Sequence, residues 1–436
     1  MRRVVAGWTA AGWAGFALVP WYAIDGDGLL GWGWIENYTS AAHAPALLLV
    51  VLHGRWWLAP IALALIPLLA SFALARSDRR YGGLLIWGGL AGLAWTLLQG
   101  FAIGLKGVEW PVLAYLIGPV PGGQGGFGAG AVIVLASFLL LTTQGIAARG
   151  AFRGDAFVAG SIGVTVALIL AFVFLPVGSV LVTALQDAKG VFAPALFAER
   201  ILANDIWGLD CLYSNLRCGV AFNTVLLGVL AGSGSTLLGL AFALIAARSS
   251  FRYKKSLRVL TILPVITPPF VIGLALIILF GRTGIVTDFL GQIFDIPRSR
   301  WIYGLPGVLI SQLLSQTPIA FLILVGVVEG ISPSLEEASQ TLRATRWRTF
   351  STITWPLLRP GLANAFLLGF VESLADFGNP LVLGGNFEVL SVKIFFAVVG
   401  AQHDPGRAAV LAVVLLFFTL GAFWLQNQWL GRRSFV

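Results

Sequence analysis

The sequence is short of charged residues. They make up 11% of its 436 residues, against roughly 25% in an ordinary soluble domain. Hydrophobic residues reach 58%, and so few charges cannot cover that much apolar surface in water. A water-soluble globular protein is therefore excluded. A bilayer accommodates this composition because lipid solvates the outer face of each helix.

Residues typical of metal and catalytic sites are equally scarce. The chain has only two cysteines and three histidines, and they do not have the spacing of zinc ligands. No Gly-Lys-Ser or Gly-Lys-Thr is present, so a phosphate-binding loop is excluded. No Ser/His or Glu/His set in an apolar segment indicates catalysis. We therefore predict no metal, no cofactor and no enzymatic activity, and a separate subunit would have to hydrolyse any ATP.

Apolar segments dominate what remains. About ten of them are long enough, or nearly so, to cross roughly 30 Å of hydrocarbon, and 16 tryptophans suit the lipid–water boundary. The segments are 4–22, 57–75, 81–105, 127–147, 156–181, 222–247, 260–280, 305–328, 361–383 and 408–430. This pattern predicts an all-α polytopic membrane protein of about ten transmembrane helices.

Most of the 28 lysines and arginines lie in alternate loops and at the two ends. These residues are Arg2, Arg3, Arg76, Arg79, Arg80, Arg149, Arg153, Arg248, Arg252, Lys254, Lys255, Arg258, Arg343, Arg346, Arg348, Arg359, Arg432 and Arg433. Positive residues favour the cytoplasmic side, so both termini are predicted to be cytoplasmic and loop 182–221 to face outward. The net charge of +9 thus reflects membrane orientation and does not indicate nucleic-acid binding.

The chain is predicted to divide near residue 150. Residues 1–150 hold four spans with tight cytoplasmic turns, and residues 151–436 hold six spans with longer loops. The most informative loop is 331–359. It predicts a helix to about Arg343, capped either by Ser334 with Glu337 in a capping box or by Ser332 with Pro333 in the first helical position.

In the same loop, Leu335, Ala338 and Leu342 would share one face of that helix. A second short basic segment follows, and Pro356 and Pro360 are expected to end the unit before the next span. A cytoplasmic helix that lies parallel to the membrane is suited to dock on another protein.

This loop resembles the Glu-Ala-Ala loop of binding-protein-dependent ABC importer permeases. The matching positions are Glu337, Ala338, Ser339, Arg343, Ile353 and Pro356, with Ser334 near the start of the helix. Ser339 stands for alanine, Arg343 for glycine and Trp355 for leucine, while the spacing is kept. The glycine normally permits a turn between two short helices, so the geometry of that turn is open. The resemblance implies a coupling helix that sits in a cleft of a cytoplasmic ATPase.

The resemblance covers about residues 158–436 and is strongest to ferric-iron-type permeases, which also carry an N-terminal extension. It rests on Asn223-Thr224 and on segments 263–270 and 372–385. It implies a six-helix permease core, a four-helix extension and an inner-membrane protein. The expected partners are an ATPase dimer, a periplasmic binding protein and a second permease core, which is a further part of the same chain, a second copy or a paralogue.

The transported solute is open on the residues alone. Ferric iron follows only from the resemblance, and an importer for a polyamine, a phosphonate or a sugar is the nearest alternative. An ion-coupled carrier needs no ATPase, and the cytoplasmic docking helix argues against it. One Glu-Ala-Ala-like loop is present, so the chain is expected to be either the first half of a longer protein or one of two paired subunits.

Candidate pathway residues lie in two apolar segments. Glu372 and Asp376 are four residues apart and share a helix face, and an acid at membrane depth costs about 2.5–3.5 kcal/mol unless it faces a polar interior. They line a cation pathway or have a structural role, such as bonding to Asn379 or Gln316 or holding the helix break at Pro380. Pro268 and Pro269 are expected to interrupt the span 260–280.

The two cysteines, Cys211 and Cys218, fall in the predicted outward loop. That side is oxidising in bacteria, so the pair is either a disulfide or two free thiols.

Overall fold

The computed structural model consists almost entirely of helices and divides into two compact units, Met1–Pro176 and Val177–Val436. It describes residues 2–24, 33–75, 78–105, 107–108, 114–115, 117–118, 120, 123–187, 190–213, 217–295, 297–401 and 403–431. Of the basic residues used to predict orientation, Arg76, Arg432 and Arg433 lie outside these ranges.

The first unit is a helical bundle with a short hairpin. Its α-helices are α1 (Arg2–Leu18), α2 (Ala46–His53), α3 (Ala59–Ala70), α4 (Arg79–Ala102), α5 (Ala129–Ala148) and α6 (Ala156–Ile169), and the antiparallel strands are β1 (Ile103–Gly104) and β2 (Gly107–Val108). Phe138 of α5 fills the core. Its ring leaves no room for a side chain at Gly92 of α4, because an added Cβ would lie 2.2 Å from it. The small residue thus lets the two helices approach closely.

Polar side chains buried in this unit bond to one another. The amide oxygen of Gln124 accepts from Tyr22 Oη at 3.3 Å and from Trp57 Nε1 at 3.1 Å. Its amide nitrogen donates to Gln99 Oε1 at 2.8 Å. An unpaired polar group away from water is costly, so this network accounts for glutamines within an apolar bundle.

The second unit is larger. Its α-helices are α7 (Leu175–Ala184), α8 (Pro194–Ile201), α9 (Asn204–Trp207), α10 (Val220–Arg248), α11 (Lys254–Ile262), α12 (Pro269–Phe280), α13 (Ile285–Phe294), α14 (Leu305–Gly330), α15 (Pro333–Thr341), α16 (Arg346–Thr349), α17 (Trp355–Ala375), α18 (Gly378–Leu383), α19 (Leu390–Val399) and α20 (Pro405–Gly431). A π-helical turn at Leu170–Phe174 joins α6 to α7, so one long helix covers Ala156–Ala184.

Helix α10 lies at the centre of this unit and packs on α14 and α17. Gly228 and Gly232 face α17, where an added Cβ would lie 2.6 Å from the Leu374 side chain or 3.0 Å from the Phe370 backbone nitrogen. The Gly-x-x-x-Gly spacing therefore serves close helix packing. Asn223 and Thr224, in the first turns of α10, hold the start of α19, as described below.

Helices lie at all ten predicted span positions. Among the described residues, eight are long and apolar enough to cross a membrane: Trp56–Ala73, Arg79–Ala102, Ala129–Ala148, Ala156–Ala184, Val220–Arg248, Pro269–Phe294, Leu305–Gly330 and Pro405–Gln428. The other two positions hold α1, which has 17 residues, and α17, which carries Arg359 and Glu372.

The predicted span 260–280 has the wrong start. The apolar helix begins at Pro269, after the basic helix α11 and a 3-10 turn at Leu263–Ile266. Pro268 precedes this helix and Pro269 is its first residue, so the prolines mark the break between α11 and α12 within the predicted span. Proline is tolerated in the first helical position, because an N–H there has no partner within the helix.

Candidate functional site

Loop 331–359, predicted to be cytoplasmic and to couple transport to ATP, contains two short helices, α15 and α16. Ser332 occupies the N-cap position of α15, without a capping bond from its side chain, and Pro333 lies in the first turn. The capping box built on Ser334 and Glu337 is therefore wrong, and the helix starts where the alternative predicted. The Ser334 hydroxyl bonds instead to Ser332 Oγ, 2.8 Å away. Proline at the first helical position fixes the start of the helix two residues earlier than a Ser334 cap would.

Arg343 makes the turn between the two helices. Its φ is +59°, in the left-handed region that glycine adopts most easily. Its N–H donates to Gln340 O at 2.9 Å, and the N–H of Ala344 donates to Ser339 O at 3.1 Å. This pair of bonds is the Schellman motif that closes helix C-termini. The turn that glycine makes in related loops is therefore kept here, at a cost in backbone strain.

The loop is fastened to the rest of the unit by residues that sequence reasoning missed. Glu336 Oε1 lies 3.5 Å from Arg248 Nη2 at the end of α10 and accepts from Thr354 Oγ1 at 3.1 Å. Arg248 also donates to the backbone oxygens of Val328 and Ile331, at 3.2 and 2.8 Å. The sequence shows Arg248 as the last basic residue of α10 and Glu336 as the first glutamate of a Glu-Glu pair. Their contact could not be read from it, because they lie 88 residues apart along the chain.

Ser339 bonds the two helices to each other. Its hydroxyl is buried and lies 2.6 Å from Thr349 Oγ1 in α16. The serine that stands for alanine in the resembled motif therefore has a structural partner within the loop.

The outer face of the loop is open. Leu335, Ala338 and Leu342 are all exposed, with 46% of Leu335 and 83% of Leu342 accessible. Glu337 is exposed as well, and it makes no hydrogen bond or ion pair with any described residue. Trp347, 75% exposed, stacks on Phe350 at 5.8 Å. Exposed leucine and tryptophan side chains on a loop outside the apolar spans are typical of a protein contact.

Pro356 does not end the helical segment of the loop, although the sequence predicts an end there. Helix α16 continues through a π-helical turn, Phe350–Thr354, directly into α17, which also contains Pro360. Proline removes one helical hydrogen bond, and the wider π turn shifts the bonding pattern just ahead of it. Residues 346–375 thus form one continuous helical element from the loop into the unit, with Ile353 and Pro356 half-buried along it.

The two acids of the candidate pathway differ in environment. Asp376 ends α17 and accepts bonds from Gln312 Nε2 at 3.0 Å and from Asn379 Nδ2 at 2.8 Å. Its backbone oxygen accepts from Ser391 Oγ at 2.8 Å. Glu372 is exposed and has no side-chain partner among the described residues. Asp376 therefore organises the break between α17 and α18, whereas the Glu372 side chain is left exposed.

The structure brings α12 and α18 together at this break. Asn379 is fully buried, and its Oδ1, which has no hydrogen-bond partner among the described residues, points toward Gly273 of α12. An added Cβ at Gly273 would lie 2.8 Å from that oxygen. Pro268 and Pro269, at the start of α12, are exposed and make no polar contact with Asp376.

At the opposite end from the loop, Cys211 and Cys218 form a disulfide with Cα atoms 4.9 Å apart. Nearby, Asn223 Nδ2 donates to Glu388 O at 3.0 Å, and Thr224 Oγ1 accepts from Leu390 N at 2.8 Å. These two side chains therefore hold the start of α19 against α10.

Residues 239–434 match the family model described as binding-protein-dependent transport system inner membrane component. Whole relatives agree. The chain is 30% identical to the molybdenum transport system permease protein ModB of Haemophilus influenzae over 92% of that protein. It is 33% identical to the sulfate transport system permease protein CysT of Salmonella typhimurium over 76% of that protein. The chain belongs to this family of inner-membrane transport components.

Greater identity is found with a ferric-type relative. The chain is 40% identical to the ferric transport system permease protein FbpB of Actinobacillus pleuropneumoniae over 309 residues, which cover 71% of this chain and 43% of that one. It thus spans less than half the length of this relative. A bacterial alginate ABC transporter, solved with an alginate-bound periplasmic protein, shares the fold with a TM-score of 0.52 at 16% identity, over 63% of this chain and 93% of that one.

Proposed function

We propose that this chain is the membrane-spanning permease of an ATP-driven, binding-protein-dependent importer that moves ferric iron from the periplasm to the cytoplasm. The 40% identity to a ferric transport permease supports the solute. The observation that carries the ATP-driven mechanism is the exposed face of α15, an apolar surface on a helix that is fastened from behind by Glu336 and Arg248.

In this proposal a cytoplasmic ATPase dimer binds the face of Leu335, Ala338 and Leu342. Its closure on ATP pulls the loop, and the continuous helix from residue 346 to residue 375 carries the displacement to the break at Asp376. A rigid helix moves as one body along its whole length, which is about 1.5 Å for each residue. A displacement of its loop end therefore reaches its other end. The two conformations of the permease bind the ATPase with different affinities, as any ligand-driven change requires.

A pathway needs a second permease core, and two surfaces support one. Along its most apolar 18 residues, helix Ala156–Ala184 has no residue buried against the rest of the chain. A separate groove of about 1490 Å³ lies between α10, α17 and α20 and is lined mainly by apolar side chains. Large exposed apolar surfaces mark contacts with lipid or with another chain. The second core is a further part of the same protein, a second copy or a paralogue, and residues 1–150 remain a separate membrane extension.

The proposed orientation follows from charge. Both termini and α15 face the cytoplasm, where the positive-inside rule puts Arg248, Arg343 and Arg346. The disulfide end then faces the periplasm, where a solute-binding protein delivers its cargo. Glu372 lines the pathway beyond that mouth, and Asp376 and Asn379 hold its shape.

The test of this proposal is Ala338→Asp. A charge buried without a partner at a protein contact costs several kcal/mol, so the variant should insert at normal levels, lose its ATPase on purification and fail in ferric uptake. Gln340→Asp is the matched control, because Gln340 is also exposed but projects from another side of α15. The proposal fails if Ala338→Asp retains the ATPase and transports normally.

A further inference from the structure

A pocket of about 780 Å³ lies at the disulfide end of the second unit. Its lining comes from the disulfide loop, the first turns of α10, the turn after α12, the segment before α14 and the turn after α18. The lining residues are Cys211, Arg217, Cys218, Phe222, Asn223, Leu226, Arg282, Arg300, Tyr303, Gly304, Gly385, Asn386 and Phe387. We call this the arginine pocket.

Three of these side chains are guanidinium groups, and none is a carboxylate. Arg282 and Arg300 make no side-chain hydrogen bond or ion pair with any described residue. Arg217 lies 3.9 Å from Glu388, but that acid is closer to Lys393, at 2.9 Å. The positive charge of the pocket is therefore largely uncompensated by the chain. A concave surface with charge of one sign concentrates ions of the opposite sign.

The pocket is held in shape around these groups. Arg217 precedes Cys218 of the disulfide and donates to Asn386 Oδ1 at 3.0 Å. Gly304 and Gly385 have φ of +100° and +54°, so the backbone turns there as few other residues allow. The N–H of Gly304 donates to Leu383 O at 2.7 Å, which ties the two turns together. A fixed arrangement of donors reduces the entropy lost on binding.

We propose that the arginine pocket is a binding site for a small oxyanion, of the size and charge of phosphate or sulfate. Guanidinium groups donate paired hydrogen bonds that match the geometry of such anions. Phe222, Leu226 and Phe387 form the apolar part of the lining. The lining offers a metal cation no carboxylate ligand, so the pocket itself is not a metal site. This site is separate from α15 and from the break at Asp376.

The test is equilibrium dialysis of the purified full chain in lipid nanodiscs against radiolabelled phosphate, and separately against radiolabelled sulfate, at roughly physiological salt. Saturable binding of one oxyanion per chain is expected. Arg282→Gln and Arg300→Gln should each weaken binding by about tenfold, because charge-assisted hydrogen bonds contribute more than neutral ones. Neither arginine supports other residues, so folding should be normal.

Arg298→Gln is the matched control, since Arg298 is exposed nearby, pairs with Asp288 at 3.0 Å and does not line the pocket. It should leave binding unchanged. Arg300→Lys should give an intermediate affinity, because lysine keeps the charge but loses the paired donors. The proposal is overturned if neither anion binds, if Arg298→Gln weakens binding as much as Arg300→Gln, or if physiological salt abolishes binding. Uptake is not measured, so the outcome is independent of which solute the chain transports.

Discussion

Loop 331–359 has two neighbouring acids, Glu336 and Glu337, and the end of α17 has two more, Glu372 and Asp376. In each pair the two acids have different environments. In the loop, Glu336 bonds inward to Arg248 and Thr354, while Glu337 is exposed. At the break, Asp376 is bonded and Glu372 is exposed. In both regions one acid holds the local structure and the other is available to a partner.

The two bonded acids differ in how they are compensated. Glu336 meets a cation, whereas Asp376 meets the amides of Gln312 and Asn379. Gln312 is itself fully buried and accepts from Ser373 Oγ at 2.7 Å. A partly buried carboxylate held by neutral donors depends on the bonds of its network. The break is therefore expected to be less tolerant of substitution than the loop.

The largest effect is expected at Asp376. Asp376→Ala removes the acceptor for Asn379 Nδ2 and the nearer of two acceptors for Gln312 Nε2, whose other acceptor is Ser373 O at 3.4 Å. A buried donor that loses its acceptor costs about 1–3 kcal/mol. The yield of folded chain and its melting temperature in detergent should both fall sharply. Glu372→Ala should leave both unchanged, because its side chain has no partner among the described residues.

Uptake separates the roles further. Glu372→Gln should reduce ferric uptake in a chain of normal stability if Glu372 lines the pathway, and Asp376→Asn should lower stability and uptake together. Equal loss of stability in Glu372→Ala and Asp376→Ala would show that the division between bonded and exposed acid is wrong at this break.

A smaller effect is expected at the loop. Glu336→Gln weakens the contact with Arg248, whose side chain is 25% exposed, against 23% for Glu336. Partial exposure reduces the value of an ion pair, so the cost should be about 1 kcal/mol and should appear as faster proteolysis of segment 331–359. Glu337→Gln should keep the protease resistance of the parent and weaken only retention of the ATPase. Loss of protease resistance in Glu337→Gln, but not in Glu336→Gln, would reverse the two roles.

Most of the helices follow from the sequence, because long apolar runs and the alternation of basic loops are local signals. The resemblance of residues 337–356 to a known loop is likewise recognised from the spacing of residues along the sequence. The partners of Glu336 and Asp376 could not be predicted, since Arg248 and Gln312 reach them from other helices. The capping box failed for a local reason: Pro333 fixes the start of α15 earlier than the Ser334 pattern indicates.

The smallest effect concerns the turn at Arg343, where the loop differs from the break in backbone strain. Asp376 leaves α17 with φ of −65°, which any residue adopts, whereas Arg343 has φ of +59°. A left-handed conformation costs a residue with a side chain roughly 1–2 kcal/mol, which glycine at this position would relieve. Part of that gain is offset because glycine has more conformational freedom in the unfolded chain.

Arg343→Gly should therefore stabilise the loop by about 0.5–1 kcal/mol, with slower proteolysis of segment 331–359 and full retention of the ATPase. Arg343→Ala removes the same guanidinium without relieving the backbone, so it should show no such gain. Arg348→Gly, inside α16, should destabilise the loop, because glycine costs about 1 kcal/mol within a helix. If Arg343→Gly and Arg343→Ala behave alike, the effect belongs to the arginine side chain, and the turn is not under strain.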